Sequence, residues 1–500
     1  MKRPQMIKPK ITIIGQIALL TLSLFVENSW ASTYYVATNG SDGNPGTLTQ
    51  PWRTIVKAAE TMIAGDTVLV RAGTYSDLSP ESDRAMIVPA HSGAPGNLIT
   101  FKAFPGETVI IDGKNGRQFS FELNGRDYIR IEGFEIVNVT GHGILVSWES
   151  TSGYGVEIVR NTIHNCGDNP DTAGIYYRFS RQGLIQDNVT YNNAGDGITF
   201  DVTDGITIRG NLIYNNAVDG IKGGGEGTII IESNIIHDMT SGTNHGDCMQ
   251  LMGNTGTLIV RNNITWDCTQ NIYLDDYSPT AGTTPWGDVY IYNNVVFNDQ
   301  WVSVSSPGYY NGIVTGPRYN NWRSLTIYHN TLVNLNDGNG GIAVANPGDQ
   351  GPYRINTVRV FNNLFYNSIN NVQPSAANTL YEDYNLYFNQ WRDWYLPGWI
   401  NLSQFQAENP GLEQHSRYAD VSFVRNAYPN PDFHLKPGSS AIDNGIPLTS
   451  VNGISFNFDR DNVARPQGLA WDIGAYEYVG GGTPSPDTTP PAAPTKVRVK

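Results

Sequence analysis

Val156-EIVRNTIHN, Gly183-LIQDNVTYN, Ile206-TIRGNLIYN and Leu258-IVRNNITWD are versions of one ten-residue phrase. Each is a short alternating strand, an Asn, a second short strand, and a closing Asn or Asp. The phrase recurs in looser form at Thr228-IIIESNIIHD, Val289-YIYNNVVFND, Leu325-TIYHNTLVN and Val358-RVFNNLFYN. Its first Asn falls at Asn161, Asn188, Asn211, Asn234, Asn263, Asn294, Asn330 and Asn363, in steps of 27, 23, 23, 29, 31, 36 and 33 residues. A period of that size means stacked supersecondary units, and a strand–turn–strand unit predicts a parallel β-helix of about ten or more coils. Period-2 alternation gives each strand one inward and one outward face. Asn tolerates the left-handed backbone needed at a corner. Stacked one coil apart, at ~4.8 Å, its amides can bond along the column. The closing column (Asn165, Asn192, Asn215, Asp238, Asp267, Asn298, Asn334, Asn367) ends the second strand.

The rest of the chain suits an all-β solenoid with capped ends. Pro51 to Met62 reads as an amphipathic capping helix, with Ile55, Ala58, Ala59 and Met62 on one face. Asp66-TVLVRAGTY follows as the first strand pair. After residue 380 the period decays, and Phe433-HLKPGSSAIDNG and Trp471-DIGAYEY frame a loop-rich C-terminal cap. The expected division is a signal peptide over 1–31, the β-helix over 32–478, and a Gly/Pro/Thr-rich linker with the start of a vestigial or truncated module over 479–500. Lys2, Arg3, Lys8 and Lys10, the apolar run Ile11 to Phe25 and Ser29-Trp30-Ala31 predict export from a bacterial cell. The secreted or cell-surface protein would then have no membrane span.

Five hundred residues with a net charge of -14 exclude a basic nucleic-acid footprint. Aromatic residues at 11 % exclude a disordered chain. Three cysteines, Cys166, Cys248 and Cys268, are an odd count that the repeat register separates, so no disulfide framework is expected.

Chemistry is expected on a third strand that follows the closing column. Aligning Gly141-HGILV, Thr172-AGIYY, Gly195-DGITFD, Val218-DGIKGG, Gly246-DCMQLM and Gln270-NIYLDD stacks His142, Ala173, Asp196, Asp219, Asp247 and Asn271. Three residues on lie Leu145, Tyr176, Thr199, Lys222, Gln250 and Leu274. Three carboxylates one coil apart repel unless a cation or shared protons intervene. Asp196, Asp219 and Asp247 on one outward face, with Asp201 and Asp276 in reach, therefore make a candidate Ca2+ site. Equally, Asp before Gly is ordinary turn chemistry. Lys222 is the only lysine between Lys114 and Lys436, and reads either as counter-ion or as base. His245 is a second acid–base candidate. Gln250, Tyr176, Tyr273 and Arg178 are candidate substrate contacts around them.

The N-terminal run Tyr34-YVATNGSDGNPGTLTQPWRTIVKAA, with GDTVLVRAGTY after it, resembles secreted bacterial right-handed β-helix proteins of the pectate-lyase-like superfamily. It is similar to family-nine pectate lyases and related uronan lyases, and LKPGSSAIDNG and DIGAYEY resemble a C-terminal motif of such proteins. The resemblance implies Ca2+-assisted β-elimination on an acidic polysaccharide by a monomer. The family's pattern of several Ca2+-binding Asp residues, with Lys on a later coil, is not kept, because Lys222 stands among the Asp residues. A non-catalytic surface protein that binds glycan or a partner is the alternative.

Overall fold

The computed structural model describes residues 31–480 except 78–83, 149–152, 240–245, 277–284, 299–310, 336–339, 345–351, 390–393, 397, 428–429 and 449. The expected signal peptide and C-terminal module lie outside the described residues.

The chain is a parallel β-helix. Among the described residues, second-row strands, such as Thr162–His164, Val189–Tyr191 and Leu212–Tyr214, stack into a 13-stranded sheet, and first and third rows merge into a 22-stranded sheet. The merger occurs because Asp196–Arg209 and Ile221–Glu232 run through the third-to-first corner without a break. Inward side chains form columns. Ile158, Ile185, Ile208, Ile231, Val260, Ile291, Ile327 and Val360 lie in one register, all fully buried. Each contributes about 1.5–3 kcal/mol of burial.

The Asn column is a continuous ladder. Asn161 donates its backbone N–H to Asn188 Oδ1 at 2.9 Å and its Nδ2–H to Ile131 O at 3.0 Å. The pattern repeats through Asn211, Asn234, Asn263, Asn294, Asn330 and Asn363 to Asn385. The left-handed residue at this corner precedes the ladder: Arg160, Asp187, Ser233, Asn262, Asn293, His329 and Asn362 have φ of 53–59°. Asn at the ladder position is there for its amide, whereas the closing column (Asn165, Asn192, Asn215) is itself left-handed. A second ladder follows the closing column, where Cys166 N–H reaches Asn193 Oδ1 at 3.0 Å and Asn193 reaches Asn216 Oδ1 at 3.2 Å.

The N-terminal helix is Ile55–Thr61, shorter than expected, with Thr54 Oγ1 accepting from Lys57 N–H at 3.1 Å. The first rung is Thr33–Val36, which pairs with Thr67–Val70, so the opening strand lies before the helix. At the other end Leu402–Glu408 is a helix that buries Leu402 and Phe405 in the main core. The segment beyond it does not cap the end. It folds back along the flank, where Val421, Phe423, Phe433, Ile473 and Tyr476 cover outward Val295, Phe297, Val333 and Leu364. Those outward positions are apolar in the later coils, and a loop-rich strap is what buries them.

One expectation fails at the cysteines. Cys248 and Cys268 form a disulfide with Cα atoms 5.4 Å apart, and Cys166 is free and buried. Cys248 opens a third strand and Cys268 closes the second strand of the next coil. The corner between them brings the two rows together, a proximity that spacing within one column does not reveal.

Near the C-terminal end Glu382 and Glu413 are buried together with Tyr387, Asn370 and Asn385. Burial pushes Glu413 up to about 7, and burial together with the Glu413 charge pushes Glu382 well above the carboxylate range. A carboxyl raised on folding stabilises at acid pH and loses that contribution as pH rises through its folded value. Melting temperature should therefore fall between pH 6 and 8, at up to about 1.4 kcal/mol per pH unit for one extra bound proton. Glu382→Gln should flatten this part of the profile in a calorimetric pH series.

Candidate functional site

The acidic column sits at the start of the third row. Asp196 Oδ1 accepts the backbone N–H of Asp219 at 3.0 Å. Asp219 Oδ1 accepts that of Asp247 at 2.9 Å, and Asp247 Oδ1 that of Gln270 at 3.0 Å. At the head of the column His142 Nδ1 accepts from Ala173 N–H at 3.0 Å. This is a third corner ladder, built from carboxylates rather than amides. The Gly after Asp196 and after Asp219 is required by close approach: a Cβ on Gly197 would lie 2.7 Å from Gly220 O, and one on Gly220 2.6 Å from Cys248 O.

Two expectations are corrected here. The register places Gln270 and Tyr273, not Asn271 and Leu274, beside Asp247 and Gln250, because Gln250 pairs with Tyr273. The three Asp side chains are buried at the corner, at 5 %, 1 % and 0 % exposure, rather than lying on the outward face. Their first oxygens are spent on the ladder.

Lys222 faces the second oxygen of Asp219. Its Nζ lies 3.1 Å from Asp219 Oδ2, and its side chain is 30 % exposed. Thr199 Oγ1 donates to Asp196 Oδ2 at 2.7 Å. Burial, and then the neighbouring Asp219 charge, push Asp196 up to about 7. Burial opposes the charge on Lys222, yet Asp196, Asp219 and Asp247 together hold its ammonium above the ordinary lysine range. Lys222 is therefore an ammonium near neutral pH, not a free base.

Tyr176, Thr199, Lys222, Gln250 and Tyr273 form one outward row in consecutive coils. Tyr176 and Tyr273 are half-buried toward its two ends, both with phenols raised by burial. Beyond Tyr176 the row is closed by Leu145, packed with Ala85, Val88 and Phe119. Arg178 is engaged with Asp201 at 3.0 Å and lies over the Phe179 ring. Asp276 is buried and caps a turn, accepting from Tyr319 N–H at 2.9 Å, Asn320 N–H at 3.0 Å and Asn320 Nδ2–H at 3.0 Å. Asp201 and Asp276 thus stand apart from the column, and the five expected metal ligands do not converge. Among the described residues no group of three His, Cys, Asp or Glu side chains is placed to hold a metal ion. His245 lies outside the described residues.

Sequence reasoning passed over Trp148. Its side chain is 47 % exposed, with its ring 6.3 Å from Tyr176 and 5.9 Å from His142. The His142 imidazole is stacked on Tyr176 at 4.3 Å and is lowered to about 4 by burial, so it is neutral. Another aromatic series runs along the second row, His164, Tyr191, Tyr214, His237 and Trp266. Those rings stack face to face at 4.1–5.3 Å and spend their faces on one another. Trp148 meets the His142 and Tyr176 rings only at a tilt among the described residues, and about half of its surface stays open. An aromatic residue three places after Leu145 was the only signal in the sequence.

Residues 34–221 match the family model for the Pel9A-like right-handed β-helix region. The uncharacterized protein YwoF of Bacillus subtilis (strain 168) is 32% identical over 135 residues, 26% of this chain and 26% of that protein. Pectate lyase PEL9 of Emericella nidulans is 37% identical over 84 residues, 17% of this chain and 19% of that protein. The chain therefore spans about a quarter or less of the length of these curated relatives. The crystal structure of pectate lyase Pel9A is similar over 89% of this chain and 96% of that one, with a TM-score of 0.52 and 16% identity. At that identity the likeness is one of fold. The chain folds as a right-handed parallel β-helix, and its residues 34–221 match the Pel9A-like right-handed β-helix region.

Proposed function

We propose that this is a secreted, carbohydrate-active protein that holds an acidic glycan along the third row and cleaves it by β-elimination. The observation that supports this is Lys222, an ammonium rising from three buried carboxylates between half-buried Tyr176 and Tyr273. Elimination needs the uronate carboxylate neutralised, the C5 proton removed and the leaving oxygen protonated. As an ammonium, Lys222 suits the first task. Asp196, near 7, exchanges a proton at working pH and suits a proton-transfer role. His245 remains the sequence-based candidate for the base.

Ultraviolet absorbance of unsaturated product, from polygalacturonate and alginate, tests this reading. Lys222→Ala should cut the rate by ~100-fold or more. A wild type that yields no product on any uronan, yet still binds one, overturns cleavage and leaves the binding reading. That alternative is favoured by one observation: the acidic column keeps Lys222 protonated, which a base cannot be.

Trp148 offers its exposed ring to a sugar at the Tyr176 end of the row. Trp148→Ala should weaken glycan binding roughly 3- to 10-fold in calorimetric titration, with the melting temperature nearly unchanged.

A further inference from the structure

The acidic column poses a charge problem that the fold solves in an unexpected way. Asp196, Asp219 and Asp247 are buried one coil apart, where like charges are costly. Within reach, Arg178 is taken by Asp201 at 3.0 Å, and the Thr199 hydroxyl carries no charge. The Lys222 ammonium is 3.1 Å from Asp219, and all three Asp carboxylates act on it. A Ca2+ ion prefers six to eight oxygen ligands. Here Asp201 and Asp276 are committed elsewhere, the inner oxygens of the column bind backbone N–H groups, the outer oxygen of Asp196 accepts from Thr199 Oγ1, and that of Asp219 meets the ammonium. The residues present do not fit Ca2+.

We propose that Lys222 is the resident cation of this face, standing where a divalent ion would otherwise balance the three carboxylates, and that it makes the protein indifferent to Ca2+. Lys222 then sets the ion requirement of the face. A neutral side chain at this position removes the ammonium from beside three carboxylates, the Thr199 hydroxyl and the Gln250 amide, which is the donor chemistry of a Ca2+ site.

Thermal unfolding of the intact protein in CaCl2 or in chelator tests this without any activity. The wild type and Lys222→Arg should melt at the same temperature in both. Lys222→Gln should melt lower in chelator and gain roughly 2–3 °C with saturating CaCl2. Adding Asp219→Asn to Lys222→Gln should abolish that gain. A wild-type melting temperature that rises with CaCl2, and stops rising in Asp219→Asn, overturns the proposal. A folded Lys222→Gln that ignores CaCl2 overturns it too. Should Lys222→Gln fail to fold, the wild type and Lys222→Arg still decide: Ca2+ indifference of both supports the proposal, and a Ca2+ response of either sinks it. Because melting is the readout, failure of uronan cleavage leaves this result standing.

Discussion

Arg465→Ala is expected to destabilise the C-terminal strap by about 3–5 kcal/mol, the cost of stranding a buried charge. The Arg465 and Glu477 side chains are both fully buried, 2.8 Å apart. Arg465 also donates to Gly474 O at 3.0 Å and Asp472 O at 3.3 Å, and Asn293 Oδ1 lies 3.5 Å away, which ties the strap to the solenoid. Alanine would leave Glu477 ionised and buried without its counter-charge beside Asp472, already raised to about 7 by burial and by Glu477. Urea unfolding followed by strap and core probes should show the strap released first, since solenoid coils interact mainly with their neighbours. Glu477→Gln in the same background should restore part of the loss. An Arg465→Ala protein as stable as wild type would mean that this pair contributes nothing net.

Asn234→Ala is expected to cost about 3 kcal/mol or more. Asn234 Oδ1 accepts from Asn211 N–H at 3.0 Å and Asn211 Nδ2–H at 2.9 Å. Its Nδ2–H groups go to Ile208 O at 2.9 Å and Asn263 Oδ1 at 3.0 Å. All of these groups are buried, so alanine leaves orphaned donors and acceptors at about 1–3 kcal/mol each. At the closing column Asn215 serves a left-handed turn, and Asn215→Ala should cost only about 1–2 kcal/mol. Equal melting temperatures for the two variants would contradict the distinction between ladder and turn.

The candidate site was legible in part. Lys222 stood out because no other lysine occurs for a hundred residues on either side, and the spacing of Asp196, Asp219 and Asp247 placed them in one column. Their burial was not legible. A residue at a corner faces neither in nor out by alternation, and only the backbone N–H of the next coil shows where its oxygens go. The register of Gln270 and Tyr273 is not legible in the sequence, because the Asp-Gly pair of the earlier coils ends at Asp247-Cys248 and no glycine marks the corner in the next coil. Trp148 was passed over because single aromatic residues outside a repeat column carry no periodic signal.

The sequence by itself determined the solenoid, its rungs and its Asn ladder, because these depend on residues one period apart and periodicity is written along the chain. It also placed Tyr176, Thr199, Lys222 and Gln250 in one row, though not Tyr273. Only the tertiary structure decided the Cys248–Cys268 bond, the strap laid along the flank, and the use of Asp196, Asp219 and Asp247 as a buried ladder closed by Lys222. Those outcomes depend on corners and on contacts between distant segments, where the path of the backbone, not the repeat, sets which atoms meet.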